Sequence, residues 1–274
     1  MRFRKAVLFG FITLFFSCSY ALAGGAGNCV EPIRTTTDHF GVGGGFEYNY
    51  VDERLNDLEN SDGPRDMKVT ALSQVYGKFM IGVFDYFNLY TKIGGCNYKL
   101  EFTDTSQNDQ LKVDLNDGLY TGMGLNALFP VYKWNNFTFG IGFDIQGNFF
   151  YNDVDNINRG GEDGINVDGS FFGLDGQNSI YGTFKYHIEK INTSVTPYIG
   201  MYHSWIVVGT LKSLTYETPA MGYIEDEDYQ AAVDANSFGL LLGMDIDVAK
   251  YVNINIEGRF IGETAVTTGA TIKF

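Results

Sequence analysis

Long apolar runs are nearly missing from this sequence. Beyond residue 23 no stretch approaches the ~18 consecutive apolar residues of a spanning helix, which excludes a helical membrane protein. No segment carries a convincing helical period either. Proline is rare, at 5 residues. Histidine is rarer, limited to His39, His187 and His203, so acid–base catalysis has few candidate bases. Cations are short: 19 Lys and Arg stand against 33 Asp and Glu, a formal charge of −14. Such a surface repels nucleic acid. Cysteine is limited to Cys18, Cys29 and Cys96. Pairing Cys29 with Cys96 would require the N-terminal tail to thread far into the structure, so two unpaired thiols are expected.

What is present is aromatic residues, glycine and alternation. In "NNFTFGIGFDIQGNFFY" (residues 135–151), Phe137, Phe139, Ile141, Phe143, Ile145 and Phe149 share one parity. Thr138, Gly140, Gly142, Asp144, Gln146 and Asn148 take the other. Period-two alternation of this length is a strand with one greasy face and one wet face. Similar segments recur along the chain and predict about ten strands, with eight or twelve as alternatives. Residues 88–103 change parity, with Leu89 and Ile93 on one face and Tyr98, Leu100 and Phe102 on the other; a bulge near Gly94-Gly95 would reconcile them.

The N-terminus reads differently. Arg2, Arg4 and Lys5 precede the apolar run "AVLFGFITLFF", and "ALAG" follows. This predicts a secretory signal over residues 1–23, cleaved after Ala23. Residues 24–38 are then a short periplasmic tail, and residues 39–274 form a single barrel domain.

Four features favour lipid over a soluble core as the partner of the greasy faces. The strands run 10–16 residues, where globular strands average about 5–6 and a tilted crossing takes ~9–11. Short and long connections alternate along most of the chain. The strand count is even. Aromatics gather at strand ends, as at Phe84, Tyr86 and Phe87, and at Tyr132, Trp134 and Phe137. An open sheet edge would leave backbone groups unpaired in hydrocarbon, so the sheet must close.

The signal segment, the strand–turn–strand "YGKFMIGVFDYFNLYTKIGG" and the terminal "GATIKF" resemble the small single-chain outer-membrane β-barrel proteins of Gram-negative bacteria. The resemblance implies an all-β, closed antiparallel transmembrane β-barrel in the outer membrane, with long external loops and short periplasmic turns. It implies contact with outer-membrane lipids and lipopolysaccharide. It also implies that the barrel-assembly machinery reads the C-terminal strand through Ala270, Ile272 and Phe274.

On this register the wet parity carries a lumen charge network of Glu47, Lys78, Lys92, Asp144, Lys185, Asp245, Glu257 and Arg259. Ion pairing within a narrow barrel is the first reading, and a small pore for ions or solutes the second. The acidity lies elsewhere: residues 52–67, 151–177 and 209–235 carry −4, −5 and −5, the whole formal charge. They predict an acidic loop rim, with Asp153, Asp155, Glu162, Asp163, Glu225, Asp226, Glu227 and Asp228, that attracts cations. Divalent cations could bridge these loops. No defined metal site is expected, because "DVDNINRGGEDG" puts Ile157 where an EF-hand needs an oxygen ligand. No cofactor is expected. Nor is an enzyme: His203 and Ser204 are adjacent on a strand, so they point to opposite faces and cannot form a dyad. The expected role is structural or surface interaction, with a porin-like channel as the alternative and an outer-membrane hydrolase as a remote one.

Overall fold

The computed structural model describes Ile33 and residues 40–54, 65–104, 109–219, 222–225, 229–231, 235–249 and 251–274. The signal segment and most of the tail lie outside the described residues. The strands, in chain order, are β1 (Phe40–Arg54), β2 (Arg65–Val83), β3 (Phe87–Asp104), β4 (Asp109–Leu115), β5 (Gly118–Trp134), β6 (Phe137–Arg159) and β7 (Glu162–Asp163). They continue with β8 (Ile165–Ile188), β9 (Thr193–Thr218), β10 (Gly222–Glu225), β11 (Tyr229–Ala231), β12 (Ala235–Val248), β13 (Val252–Phe260) and β14 (Glu263–Lys273). A three-residue 3-10 turn over Glu189–Ile191 sits in the tight β8–β9 link.

Hydrogen bonding runs in a ring through ten staves. β4 and β5 make one stave, since both pair with β3 and with β6. A kink at Asn116–Asp117 separates them and reverses the parity, with Leu111, Val113 and Leu115 inside before it and Tyr120 inside after it. The ring closes where β14 pairs with β1, from Gly43 opposite Lys273 to Arg54 opposite Glu263. All these pairings are antiparallel, and the even ten-stave count meets the sequence expectation.

The register gives the tilt. From Ile141 the line of partners runs through Gly182, Ile199, Leu242, Gly258, Val266, Tyr50 and Ser73 to Asn97. It returns to β6 near Asn152–Asp153, where Leu115 meets Val154 and Leu119 meets Tyr151. The sheet therefore closes about twelve residues higher than it started, which for ten staves corresponds to a strand tilt of about 40°.

The outside of the lower barrel is an apolar band. Phe46, Phe79, Ile93, Met123, Ile141, Ile180, Ile199, Leu242, Ile256 and Val266 all point outward and are exposed. Their neighbours in sequence point inward. An outward apolar band with a polar interior is the inverse of a soluble protein and fits a hydrocarbon solvent. Aromatics mark its lower border, at Phe84, Tyr132, Trp134, Tyr186, Tyr251 and Phe274. These are interface positions for such rings.

Above this band the pattern inverts. Val69, Leu72, Tyr98, Leu100, Phe102, Val113, Phe150, Ile157, Phe171, Leu211, Leu214 and Tyr216 point inward and form one buried core. No bulge lies at Gly94-Gly95. β3 runs in unbroken register with β5 from Phe87 to Cys96, and its pairing with β2 shifts only between Val69 and Ala71. The parity of the backbone is constant, and the solvent changes. Where the strand leaves lipid for water, apolar side chains move from the outer face to the inner one. The shift at Thr70 also turns Val69 inward.

Two connections differ from expectation. Residues 151–177 are not a loop: β6 continues to Arg159 and β8 begins at Ile165, so "INVDGSFF" extends a stave without adding a hairpin. β9 likewise runs to Thr218, with β10 and β11 paired along it.

Candidate functional site: the lumen and the outer wall

The lumen has three levels. At the end with the short turns, Ile33 lies inside the barrel, 1% exposed, against Met80 and Tyr90. Sequence placed this residue in a periplasmic tail. Its backbone N–H donates to Asn88 Oδ1 at 2.8 Å, and Asn88 Nδ2 donates in turn to Asn126 Oδ1 at 2.8 Å. Lys273 pairs with Asp247 at this end.

The middle level is ionic. Lys78 Nζ is 2.8 Å from Glu47 Oε1, and Lys92 Nζ is 3.9 Å from Glu47 Oε2. Lys92 also donates to Gln146 Oε1 at 2.6 Å. The Tyr90 hydroxyl donates to Asp144 at 2.9 Å. On β13, Arg259 contacts Glu263 and Glu257 and donates to Asn49 Oδ1 of β1 at 2.7 Å. Tyr198 donates to Glu257 at 3.1 Å, and Asn255 Nδ2 reaches Asp245 at 2.7 Å. Period-two geometry places these groups inside, and the narrow bore brings them together. Tyrosine rings fill the gaps by lying over glycines of neighbouring strands: Tyr90 on Gly124, Tyr181 on Gly142 and Tyr198 on Gly243. A Cβ at any of these glycines would come within 2.3 Å of the ring.

Seven of the eight charged residues expected in the lumen are buried there. Lys185 is the exception: half-buried, it stands further down β8 than Ser179, the register partner of Asp144. The network also contains members that sequence reasoning missed. Glu263 is one of them, in contact with Arg259. Asp247 and Lys273, paired with each other, are two more. Asp175 was counted as loop acidity, yet it is buried and accepts from Asn148 Nδ2 at 2.8 Å. Among the described residues, the buried carboxylates (Glu47, Asp144, Asp175, Asp245, Asp247, Glu257, Glu263) outnumber the buried cations (Lys78, Lys92, Arg259, Lys273).

The third level is the apolar core above the band. It is packed: Val113, Tyr120, Phe150, Ile157, Phe171, Leu211, Leu214 and Tyr216 are fully buried.

The acidic rim needs correction. Asp153 and Asp155 lie on β6 with exposed side chains, and Glu162 and Asp163 make up β7, paired to β6. They are strand residues on the outer wall, because the apolar inner face holds these segments in the sheet. Glu225 is on β10; Asp226, Glu227 and Asp228 lie outside the described residues. A shallow groove on the same wall is lined by Thr70, Lys99, Glu101, Lys112, Asp114 and Asp163. Among the described residues no group of three or more His, Cys, Asp or Glu is placed to hold a metal. His203 faces outward, its ring stacked on Phe238 with centroids 4.1 Å apart, while Ser204 faces the lumen and is buried. Cys96 is buried as a free thiol; Cys29 lies outside the described residues. At the C-terminus, Ile272 and Phe274 point outward, and the Phe274 N–H donates to the Val42 carbonyl at 2.8 Å across the closing seam.

A closed antiparallel ring with an apolar exterior and a polar, filled interior defines a transmembrane β-barrel. The chain's similarities to solved structures are to proteins of that class. It is similar to the outer membrane protease OmpT from Escherichia coli, at 10% identity and a TM-score of 0.44 over 89% of this chain and all of that one. It is similar to the translocator domain of the autotransporter NalP from Neisseria meningitidis, at 8% identity and a TM-score of 0.41 over 88% and 91%. It is also similar to the outer membrane protein OprG from Pseudomonas aeruginosa, at 15% identity and a TM-score of 0.36 over 86% and 95%. No family model and no curated protein matches the sequence.

Proposed function

We propose that this protein is a non-conducting outer-membrane β-barrel that holds a rigid acidic wall above the membrane for surface interaction. The observation supporting this reading is the filled lumen. An ionic layer, with Lys78, Lys92, Glu47 and Arg259 at most 4% exposed, is stacked beneath a packed apolar core. A water-filled pore would leave its lining charges solvated, and would not line its outer half with Phe and Leu. The outer half instead has the anatomy of a soluble β-protein, apolar inside and polar outside, which serves to display a surface.

In this reading the wall faces the medium, and its outward Asp153, Asp155, Asp163 and Glu217 meet cations, including divalent cations shared with lipopolysaccharide phosphates. The assembly machinery engages the edge of β14 before it pairs with β1. The reading assigns the protein no reaction. The test is conductance in a planar bilayer: the purified barrel should insert without stable open steps in molar salt. Reproducible unitary currents that disappear with Lys78 or Arg259 substitutions would favour the channel instead.

A further inference from the structure

Ile33 is the one described residue preceding β1, and it is more completely enclosed than a passing tail requires. Three lumen-facing glycines surround it, on two adjacent strands. A Cβ on Gly41 would lie 2.5 Å from the Ile33 carbonyl oxygen, and one on Gly82 would lie 2.0 Å from the same oxygen. A Cβ on Gly43 would lie 2.4 Å from Ile33 Cδ1. Glycine in a strand interior weakens the strand and commonly marks a place where another backbone comes close. Here all three meet the same residue. The floor of the site is apolar, made by Met80 and Tyr90, both at most 3% exposed. Asn88 adds a polar contact: its Oδ1 accepts the Ile33 N–H, while its amide donates to Asn126.

We propose that these residues form a peptide-binding cradle in the short-turn mouth of the barrel, and that its resident ligand is the chain's own N-terminal segment, docked through Ile33. The cradle accepts a main-chain carbonyl, because Gly41 and Gly82 leave room for one where any side chain of their own would collide. It selects an aliphatic side chain reaching to a δ carbon, because Gly43 leaves room for that atom above Met80. It requires a donor N–H, supplied to Asn88. Ile33 itself meets the inner faces of β1, β2 and β3, through Gly41 and Gly43, through Met80 and Gly82, and through Asn88 and Tyr90.

The test uses the full chain carrying Met80→Cys, folded in detergent micelles, with a water-soluble maleimide as probe. Cys96 is buried, and its background is measured in the chain without Met80→Cys. With Ile33 in place, Met80→Cys should label slowly. Adding Ile33→Gly should raise the rate at least tenfold, and a synthetic peptide of residues 28–38 added to that variant should slow it again. Gly43→Val, which fills the δ-carbon space while leaving Ile33 intact, should also raise the rate at least tenfold, without rescue by the peptide. Far-UV circular dichroism confirms that each variant is folded before labelling. Equal labelling rates with and without Ile33→Gly and Gly43→Val, or failure of the peptide to protect the Ile33→Gly variant, would overturn the proposal.

Discussion

Glu47 should be costlier to neutralise than its partner Lys78, and the geometry says by how much. Its two carboxylate oxygens receive different cations: Lys78 at 2.8 Å on Oε1 and Lys92 at 3.9 Å on Oε2, with all three side chains at most 2% exposed. Removing one partner of a buried ion pair costs about 3–5 kcal/mol, because an uncompensated charge is left in the interior. The two directions are not equivalent. Lys78→Met leaves Glu47 facing Lys92, so the cost should fall near the lower end, about 3 kcal/mol. Glu47→Gln leaves two ammonium groups around a neutral amide. Both bound one carboxylate, so they lie within roughly 9 Å of each other, and at an effective dielectric of about 20 they repel by ~2 kcal/mol or more. The expected cost of Glu47→Gln is therefore about 5 kcal/mol. The double variant Glu47→Gln/Lys78→Met should cost less than the sum of the singles, since the repulsion disappears with Lys78. The assay is folding into lipid vesicles, followed by urea titration with midpoint and slope fitted separately. If Glu47→Gln proves no more destabilising than Lys78→Met, the shared-carboxylate account is wrong.

Other outcomes follow from the same structure. Ile141→Arg, which puts a cation on the outward face near mid-band, should cost about 2–4 kcal/mol in vesicles; an unchanged titration would mean that this face does not meet hydrocarbon. Phe171→Ala should cost about 3–5 kcal/mol as a cavity in the packed outer core. It should also make β8 and β9 sensitive to added protease above the band while the lower barrel stays protected; uniform digestion would contradict an independent outer core. Proteolysis of intact cells should cut within residues 209–235, and cutting only after the outer membrane is opened would reverse the proposed orientation. Cys96 should resist alkylation until the barrel is unfolded, given its burial beside Asn152.

The ring, its closure and the facing of each lower stave were legible because a period of two has one physical cause at every position from Phe137 to Phe149: hydrocarbon on one side and a wet bore on the other. The same regularity misled above the band. At Tyr98 the sequence showed apolar residues on the wrong parity, and a bulge was the local explanation. A change of solvent along an unbroken strand gives the same pattern. Residues 151–177 read as loop because their acids are dense, yet Phe171 and Asp175 point inward while Asp153 and Asp155 point outward. Charge density alone does not distinguish a loop from a strand with one wet face. The ionic layer was found residue by residue, but its connections were not, because partners such as Arg259 and Asn49 are 210 positions apart and meet only through closure. The position of Ile33 left Gly41, Gly43 and Gly82 as its trace in sequence, and a glycine in a strand marks a bend as readily as a close approach.

The staves end at very different heights. β13 and β14 turn back at Ile261–Gly262, nine residues above the start of β13, whereas β6 climbs 23 residues before it turns. At a tilt of about 40° the difference amounts to roughly 35 Å, comparable to the thickness of the hydrocarbon core itself. Seen from the medium, the barrel is a one-sided parapet. In the orientation proposed above, an antibody or phage approaching from the medium would meet β4, β6, β8 and β9 well before it reached the low β13–β14 corner. Epitopes and escape mutations should therefore cluster on a single arc of the circumference.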